Sequence, residues 1–381
     1  MNATLNTEQL ALRDSVIRFC QQELNGQVNE RDRAGSFSKE LWKKCALQKL
    51  TALPVDKDFG GAGLDSVSTM VALEAFGYGC EDGGLSFSVA AHLLATVVPL
   101  WKYGSEAQRG LLRDLCDGTK IGANAITEAQ NGSDVFDMHT KAVESNCVYT
   151  INGCKTYITN GSVADVILLY AVTDEEKGFF GGITLFLIAS GTSGFAVSKN
   201  LEKMGLSTCQ MSELVFDGLK TGHESILGKA GSGGIIFQHS MEWERLGMSA
   251  LHTGIMQRLV EQVIAFSRSR MIQGEPLSRK QVIAHRIADM KVRLEASRAL
   301  VYRAAAGLDN NRDNAMHSSI AKLFTSEAFV KTAAECQQIY GASGYLRETG
   351  IERIVRDSLA STLYSGTSEI QKNMIGRLLG L

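Results

Sequence analysis

The chain has 381 residues, of which 44% are hydrophobic and 21% charged, and its formal net charge is −2. This balance is typical of a soluble globular protein. It excludes the strongly basic surface by which many proteins bind nucleic acids or anionic membranes, so we expect neither as a partner. The length allows two or three domains, or one large unit of several layers.

The cysteines and the N-terminus indicate the compartment. Eight cysteines are present without a C-x-x-C pair, and most lie in apolar or helix-patterned segments. We therefore expect buried, reduced thiols rather than disulfides or metal ligands. The N-terminal sequence has no apolar signal core, and no uninterrupted apolar run of about 18 residues occurs. The sequence predicts a cytoplasmic protein.

The first third of the chain is predicted to be helical. Apolar residues between Leu10 and Phe19 recur at helical spacing, and the polar sequence Asn6-Thr7-Glu8 before them is typical of a helix N-terminus. The whole chain has only three prolines, which leaves room for long uninterrupted helices. Further helices in this part are predicted at 38–48, 66–78, 85–102 and 105–117.

After Gly118 the apolar pattern changes to that of short strands. The segments are rich in Ile, Val, Thr and Tyr and are bounded by Gly, Asn or Asp, which predicts a compact β domain. The pair Asn152-Gly153 between β-prone runs predicts a hairpin turn. The predicted strands are 121–127, 147–158, 165–173, 182–189 and 211–217.

From about Gly231 to the C-terminus the chain is again helical. Long amphipathic helices with short connections pack as an antiparallel bundle. The fold class is therefore α+β: an N-terminal helical domain (1–119), a central β domain (120–229) and a C-terminal four-helix bundle (230–381). A doubly wound sheet is excluded because its strands and helices would alternate. The predicted C-terminal helices are 235–270, 278–308, 311–340 and 366–379.

Two motifs carry candidate chemistry. The first, T-E-A-Q-N-G-S-D at 127–134, ends a strand and enters a turn whose small residues leave backbone N–H groups open to a ligand. The second, K-T-Y-I-T-N-G at 155–161, places an aromatic and a hydroxyl two residues apart, on one face of a strand. Taken alone, the first is typical of a solvent-exposed loop and the second of an ordinary strand end.

Together, in this order, the two motifs resemble those of the acyl-CoA dehydrogenase family, whose pattern reads T-E-x-x-A/N-G-S-D and then W-I-T-N-G. The resemblance covers the whole chain, through the order of the three domains and the C-terminal G-T-S-E-I-Q at 366–371. It implies the acyl-CoA dehydrogenase fold, non-covalently bound FAD and the removal of two hydrogens from an acyl thioester.

The resemblance also implies where FAD binds. Tyr157 stands where the family usually has Trp, and either aromatic side chain packs against a flavin ring. Arg270 would meet the pyrophosphate as a charge-assisted donor, although the polar Gln273 replaces an aromatic residue nearby. The implied contacts with the flavin half are Ile126, Thr127, Gly132, Ser133, Tyr157 and Thr159. The implied contacts with the adenine half, made across a subunit interface, are Arg270, Gln281, Gln338, Gly341 and Ala342, with Thr367 and Glu369 at the last helix.

The catalytic base is expected outside its most usual position. Removal of a thioester's α-proton needs a positioned base and stabilisation of the enolate-like oxygen. Many family members have Glu directly before the C-terminal G-T-S, where this chain has Ser365. Isovaleryl-CoA dehydrogenases resemble this chain in having a small residue there and the base in a helical L-E-R-L, which matches Glu244. Glu242 is the competitor, but residues two apart on a helix point about 200° apart, so only one of them faces the flavin.

Three further roles follow from the resemblance. The backbone N–H of Ser365 would hold the thioester carbonyl oxygen, a role that survives any change of side chain. Ser133 and Tyr364 would contact the substrate, and Arg245 would be a buried structural residue.

The substrate is the least determined feature. Segments 84–92 and 121–125 resemble the biosynthetic branch of the family, the prolyl-carrier-protein dehydrogenases and oxidases. This implies a prolyl group on a peptidyl or acyl carrier protein, a pyrroline product, a role in secondary metabolism and a homotetramer. The alternatives are a short branched-chain acyl-CoA dehydrogenase and a redox-inert flavin-binding paralogue; a nitroalkane oxidase would need an Asp base. The electron acceptor, and whether two or four electrons are removed, stay open.

Overall fold

The structure, a computed structural model, describes residues 5–309 and 314–381. It has helices first, then strands, then helices, in the predicted order. The first helix begins behind Asn6, whose side chain accepts a hydrogen bond from the Gln9 N–H in a capping box. The N-terminal helices are α1 (Thr7–Glu23), α2 (Val28–Ala34), α3 (Lys39–Leu47), α4 (Ser66–Gly79), α5 (Gly83–His92), α6 (Val98–Tyr103), α7 (Glu106–Arg109) and α8 (Leu112–Cys116).

The predicted helix at 85–102 is interrupted. Residues Leu93–Val97 form a π-helical turn between α5 and α6, a wide turn that often marks functional sites. The turn is fully apolar apart from Thr96 and packs against the strands and the C-terminal helices. It lies beside the ligand cavity described below, which Ala95 lines.

The central domain is a seven-stranded sheet with the order β1-β4-β2-β3-β7-β6 and β5 paired to β4. The first strand runs parallel to β4, whereas the pairs β2–β3, β3–β7, β6–β7 and β4–β5 are antiparallel. The short helix α9 (Gly178–Gly182) precedes the fifth strand. The strands are β1 (Gly122–Ala125), β2 (Lys141–Ser145), β3 (Val148–Thr159), β4 (Val166–Val172), β5 (Ile183–Ala189), β6 (Phe195–Asn200) and β7 (Met211–Gly222).

The hairpin turn predicted at Asn152-Gly153 is wrong. Both residues lie inside β3, at an irregularity in its pairing with β7, and a Cβ on Gly153 would lie 2.4 Å from the Thr140 hydroxyl. The turn is at Asn146 and Cys147, whose φ angles of 52° and 61° are those of a tight hairpin. The glycine therefore serves close packing within the strand, and not a turn.

The C-terminal domain contains three long helices with a shorter fourth against α12. The α12 helix begins at 315, and residues 311–313 of the predicted 311–340 helix lie outside the described residues. The elements are α10 (Gly233–Ser269), β8 (Met271–Ile272), β9 (Glu275–Pro276), α11 (Gln281–Leu308), α12 (Ala315–Tyr340), α13 (Ala342–Tyr345), α14 (Ile351–Leu359) and α15 (Ser368–Leu378).

The two helical domains share one hydrophobic core. Buried Trp243, Leu246 and Leu251 of α10 belong to the same cluster as Phe76 of α4. The helices cross closely, because a Cβ on Gly254 would lie 1.9 Å from the Glu74 carbonyl oxygen. This contact fixes α10 against the N-terminal domain and so fixes the side chains that α10 presents to the cavity.

One segment of the described chain, 83–103, is long and apolar enough to cross a membrane by length and composition, but 89% of its most apolar window is buried inside the protein. Such burial is typical of a core helix. The prediction of buried thiols is wrong for two of the eight cysteines: Cys147, in the hairpin turn, and Cys154, on β3, are exposed.

Candidate active site

A cavity of about 680 Å³ lies where the three domains meet. Its size and mostly apolar lining are those of a ligand-binding site. The sequence-predicted residues that line it are Ile126, Thr127, Gly132, Ser133, Tyr157, Thr159, Glu244, Tyr364, Ser365 and Thr367.

A buried ion pair fixes the wall formed by the first motif. The Glu128 carboxylate accepts hydrogen bonds from the backbone N–H groups of His139 and Thr140, from the Thr140 hydroxyl and from Lys155 Nζ at 2.8 Å. Lys155 Nζ also donates to the Ile126 carbonyl oxygen. Burial raises the pKa of Glu128, but Lys155 and the other donors outweigh it and leave the pKa below its usual value. The pair holds Ile126 and Thr127 at the cavity.

The second motif reaches the cavity through an irregular strand end. The pairing of β3 with β7 shifts between Lys155 and Ile158, and Tyr157 has a φ of 58°, unusual for a residue other than glycine. As a result Tyr157, Ile158 and Thr159 all line the cavity, which a regular strand with alternating side chains would not allow. The Tyr157 side chain is 57% exposed and is available to cover a flat ligand.

One face of α10 forms the opposite wall. Phe237, Met241 and Glu244 recur at helical spacing and line the cavity, as do Gln238 and Arg245. Glu242 is buried and does not line the cavity. The helical geometry therefore presents Glu244, and not Glu242, to a bound ligand.

Ser365 lies against Glu244 in a loop where side chains hold the carbonyl oxygens of both Ser365 and Gly366. The Ser365 hydroxyl donates to Glu244 Oε1 at 2.6 Å. Its carbonyl oxygen accepts from Gln371 Nε2 at 3.0 Å and more weakly from Arg245 Nε at 3.4 Å. Buried Lys322 donates to the next carbonyl oxygen, that of Gly366, at 2.6 Å. Within the described residues the Ser365 N–H has no hydrogen-bond acceptor, so it is available to a ligand.

The carboxylate of Glu244 is buried in a mostly apolar wall and feels the charges of two cations, Arg245 and Lys322. Burial raises its pKa above the usual value, even though the Ser365 hydrogen bond and the charges of Arg245 and Lys322 lower it. A carboxylate with a raised pKa is a stronger base once deprotonated. The arrangement brings a carboxylate that can act as a base close to a backbone N–H that can donate to a ligand.

Tyr364, the residue before Ser365, is held by a hydrogen bond and by ring packing. Its hydroxyl lies 2.6 Å from His252 Nε2, and its ring packs on Phe87 with centroids 4.6 Å apart. Burial lowers the pKa of His252 to about 3, so the imidazole is neutral. Ser133, the other predicted substrate contact, is an exposed residue at the cavity rim.

The remaining predicted FAD contacts lie outside the cavity, and most of them are at one end of the bundle. The stacked rings of Phe266 and Tyr340, with centroids 4.1 Å apart, join the C-terminal ends of α10 and α12, and the β8–β9 hairpin brings the start of α11 to the same place. The residues gathered there, all exposed, are Arg270, Gln281, Gln338, Gly341 and Ala342. Glu369 is exposed on the first turn of α15.

The roles of four supporting residues were missed from the sequence. Glu128 and Lys155 lie inside the two quoted motifs, but their ion pair became apparent only from the structure. Lys322 lies in neither motif. One signal was available for Lys322: it stands alone in the apolar run S-S-I-A-K-L-F of α12, where a lysine is rare unless it has an acceptor. Gln371 was inside the quoted G-T-S-E-I-Q motif, but its role became apparent only from the loop geometry.

The sequence matches the family models of three consecutive domains of acyl-CoA dehydrogenases. They are the N-terminal domain over residues 6–119, the middle domain over 123–219 and the C-terminal domain over 231–380. The chain therefore belongs to the acyl-CoA dehydrogenase family, and the predicted family and fold are confirmed.

Among its relatives, the L-prolyl-[peptidyl-carrier protein] dehydrogenase of a Serratia species is 37% identical over 100% of this chain and 99% of its own length. Among solved structures, the prolyl acyl carrier protein oxidase AnaB is 39% identical with a TM-score of 0.97, covering 99% of this chain and 100% of its own. A structure of PigA with FAD and proline is 37% identical with a TM-score of 0.97, over 100% of both chains.

Proposed function

We propose that this protein is an FAD-dependent enzyme that oxidises an L-prolyl group carried as a thioester on a peptidyl carrier protein. The observation that carries the proposal is the contact between Glu244 and Ser365 at the cavity, which supports a base on α10. The full-length relatives that act on prolyl carrier proteins support the choice of substrate.

The cofactor is FAD. The cavity of about 680 Å³ has room for a flavin ring beside a small acyl group. The exposed ring of Tyr157, the hydroxyl of Thr159 and the backbone at Ile126 offer it one apolar face and a few polar contacts. When bound, FAD would supply the acceptor for the hydride that leaves the β-carbon of the substrate.

The residues of the chain handle the proton and the developing charge. The carboxylate of Glu244 accepts the α-proton, and the electron pair of that C–H bond forms an enolate on the thioester. The free N–H of Ser365 donates to the thioester oxygen where this charge develops. Apolar walls such as Met241 and Phe237 exclude water from the reacting atoms. The product is an enamine, which isomerises to a pyrroline.

The substrate is tested by mixing the oxidised holoenzyme anaerobically with single thioesters and following the loss of flavin absorbance. We expect L-prolyl-carrier protein to reduce the flavin, and isovaleryl-CoA to do so at least about tenfold more slowly. A pocket shaped for one acyl group discriminates against another acyl group by this factor or more. The D-prolyl-carrier protein is the matched control, since its α-proton points away from Glu244.

The other outcomes identify the alternatives. Faster reduction by isovaleryl-CoA would make the protein a short branched-chain acyl-CoA dehydrogenase. A yellow protein that no thioester reduces would be a redox-inert paralogue.

The FAD site is completed by a second subunit of a homotetramer. The gathered residues at the end of the bundle are exposed and lie apart from the cavity, and Met271, Tyr345 and Leu346 add exposed apolar surface near them. Such a surface is typical of a subunit interface. The adenine half of FAD lies there, with its pyrophosphate at Arg270 of a neighbouring subunit.

Replacing Arg270 by Ala should weaken FAD binding by about 10- to 100-fold, the value of a charged hydrogen bond to phosphate. No ion pair engages Arg270 within the described chain, so the loss would come from the ligand. Arg268→Ala, in the last turn of α10 and two residues before Arg270, is the control and should bind FAD normally. Unchanged FAD affinity in Arg270→Ala, measured by titrating apoprotein with FAD, would remove Arg270 from the site.

A further inference from the structure

Ser365 stands at the position where many family members have the catalytic Glu, and its hydroxyl contacts Glu244, the proposed base of this chain. Its Oγ lies 2.6 Å from Glu244 Oε1. Within residues 5–309 and 314–381, no other hydrogen bond reaches that carboxylate. The second carboxylate oxygen is therefore left to the cavity, where the proposed substrate would bind.

We propose that the Ser365 side chain is a positioning residue for Glu244: its hydroxyl orients one carboxylate oxygen and stabilises the deprotonated form, so that the other oxygen accepts the α-proton. This inference rests on the proposed role of Glu244 as base. It gives the serine a side-chain role in addition to that of its backbone N–H.

The loop leaves the hydroxyl little freedom. Gln371 holds the carbonyl oxygens of both Ser365 and Gly366, and Lys322 holds the second of these. Ser365 has a φ of 56°, a left-handed conformation in which glycine is favoured and a side chain costs stability. The hydroxyl is therefore presented to Glu244 from a fixed backbone that a glycine would adopt more easily.

The charged and titratable groups that face Glu244 lie on α10, on α12, on the loop before α15 and on β4. Arg245 lies on α10 and Lys322 on α12, and the phenols of Tyr364 and Tyr170 approach from the loop and from β4. Burial raises the pKa of Glu244, and among the groups that lower it the Ser365 hydrogen bond is the largest. Loss of the hydroxyl removes one of the groups that lower the pKa of Glu244, while the cations and the effect of burial remain. The pKa of Glu244 should therefore rise further.

Three substitutions in the FAD-loaded enzyme distinguish the effect of the Ser365 hydroxyl from that of the backbone conformation. Ser365→Ala and Ser365→Gly both remove the hydroxyl, but they should affect stability in opposite directions because only glycine relieves the positive φ. Ser365→Thr keeps the hydroxyl and adds a methyl group that the positive φ disfavours.

The first readout needs no substrate. The infrared band of the protonated Glu244 carboxyl, assigned by its disappearance in Glu244→Gln, is followed against pH. The second is the pH profile of anaerobic flavin reduction by L-prolyl-carrier protein. In Ala and Gly variants alike, we expect both titrations to move to higher pH by about 1 unit, roughly tenfold in the protonation equilibrium. The Thr variant should titrate as the wild type despite its lower melting temperature.

The result that overturns the inference is a Glu244 titration that stays at the wild-type pH in both Ala and Gly variants. An equal shift in all three variants would also overturn it, because the cause would then be the backbone. Failure of the proposed function looks different: L-prolyl-carrier protein would not reduce the flavin of the wild type, whatever the titrations of the Ser365 variants. Flavin reduction that persisted in Glu244→Gln would instead remove the base role on which this inference rests.

Discussion

Replacing Glu244 by Gln should lower the rate of flavin reduction by about 10²–10⁴-fold or more, while FAD remains bound. Glutamine has the shape of glutamate and still accepts the hydrogen bond from Ser365, so the wall of the cavity is preserved. It cannot accept the α-proton. The measurement is anaerobic stopped-flow reduction by L-prolyl-carrier protein, together with the flavin spectrum of the purified variant.

The matched control is Glu242→Gln, an identical change two residues away on the same helix. Glu242 does not line the cavity, so its variant should reduce the flavin within a few-fold of the wild type. The reverse result, a fast Glu244→Gln and a slow Glu242→Gln, would move the base to Glu242 and require α10 to be rotated. Loss of FAD from Glu244→Gln would instead indicate a structural role.

The wild-type pH profile should agree with the environment of Glu244. Only the deprotonated carboxylate accepts a proton, so the rate rises with pH through its pKa. Because burial raises that pKa, the rising limb should lie above the usual carboxyl range. A limb at or below that range would show that water reaches Glu244 in the working enzyme.

The sequence was sufficient for the parts of the fold that follow from local patterns. The long helices α10 and α11 were predicted to within a few residues because their apolar periodicity is long and free of proline. The strands β2 and β6 were missed because most of their residues are exposed, so neither shows an apolar face. The turn at Asn146-Cys147 was missed because it contains no glycine, and the glycine that suggested a turn at Asn152-Gly153 is used for packing.

For the site, the residues on the cavity wall were found by resemblance, and their supports were not. Glu244 and Ser365 belong to separate motifs. The prediction linked them only because a carboxylate is absent at position 365 and present at position 244. Their hydrogen bond depends on how the loop before α15 meets α10, which no spacing encodes. Lys322 and Gln371 likewise act on backbone carbonyl groups, and backbone contacts leave little trace in a sequence.

Replacing Lys155 by Met should lower the free energy of unfolding by about 3–5 kcal/mol, the cost of removing one partner of a buried ion pair. The lysine side chain is completely buried, and that of Glu128 is nearly so. Methionine fills much of the same volume, so the principal loss is a carboxylate left without its cation. Detachment of the Ile126 carbonyl oxygen from Lys155 Nζ should also weaken FAD binding, because Ile126 lines the cavity.

The pH dependence identifies the cause of this loss. In the wild type Glu128 has a lowered pKa, so its contribution to stability is present above the ordinary carboxyl pKa and is lost as the pH falls through the folded-state value. Without Lys155, burial would raise the Glu128 pKa, and the variant would lose stability as the pH rises through that raised value. The difference between the two proteins should therefore be largest near neutral pH and shrink toward about pH 4.

The control for Lys155→Met is the double variant Glu128→Gln/Lys155→Met, which leaves no buried charge. Its glutamine still accepts a hydrogen bond from Thr140, so it should regain part of the stability lost in the single variant. The unfolding free energies are measured by urea denaturation of the three proteins between about pH 4 and 8. If the single and double variants are equally unstable at neutral pH, then the lost packing of the lysine chain, and not the isolated carboxylate, accounts for the effect.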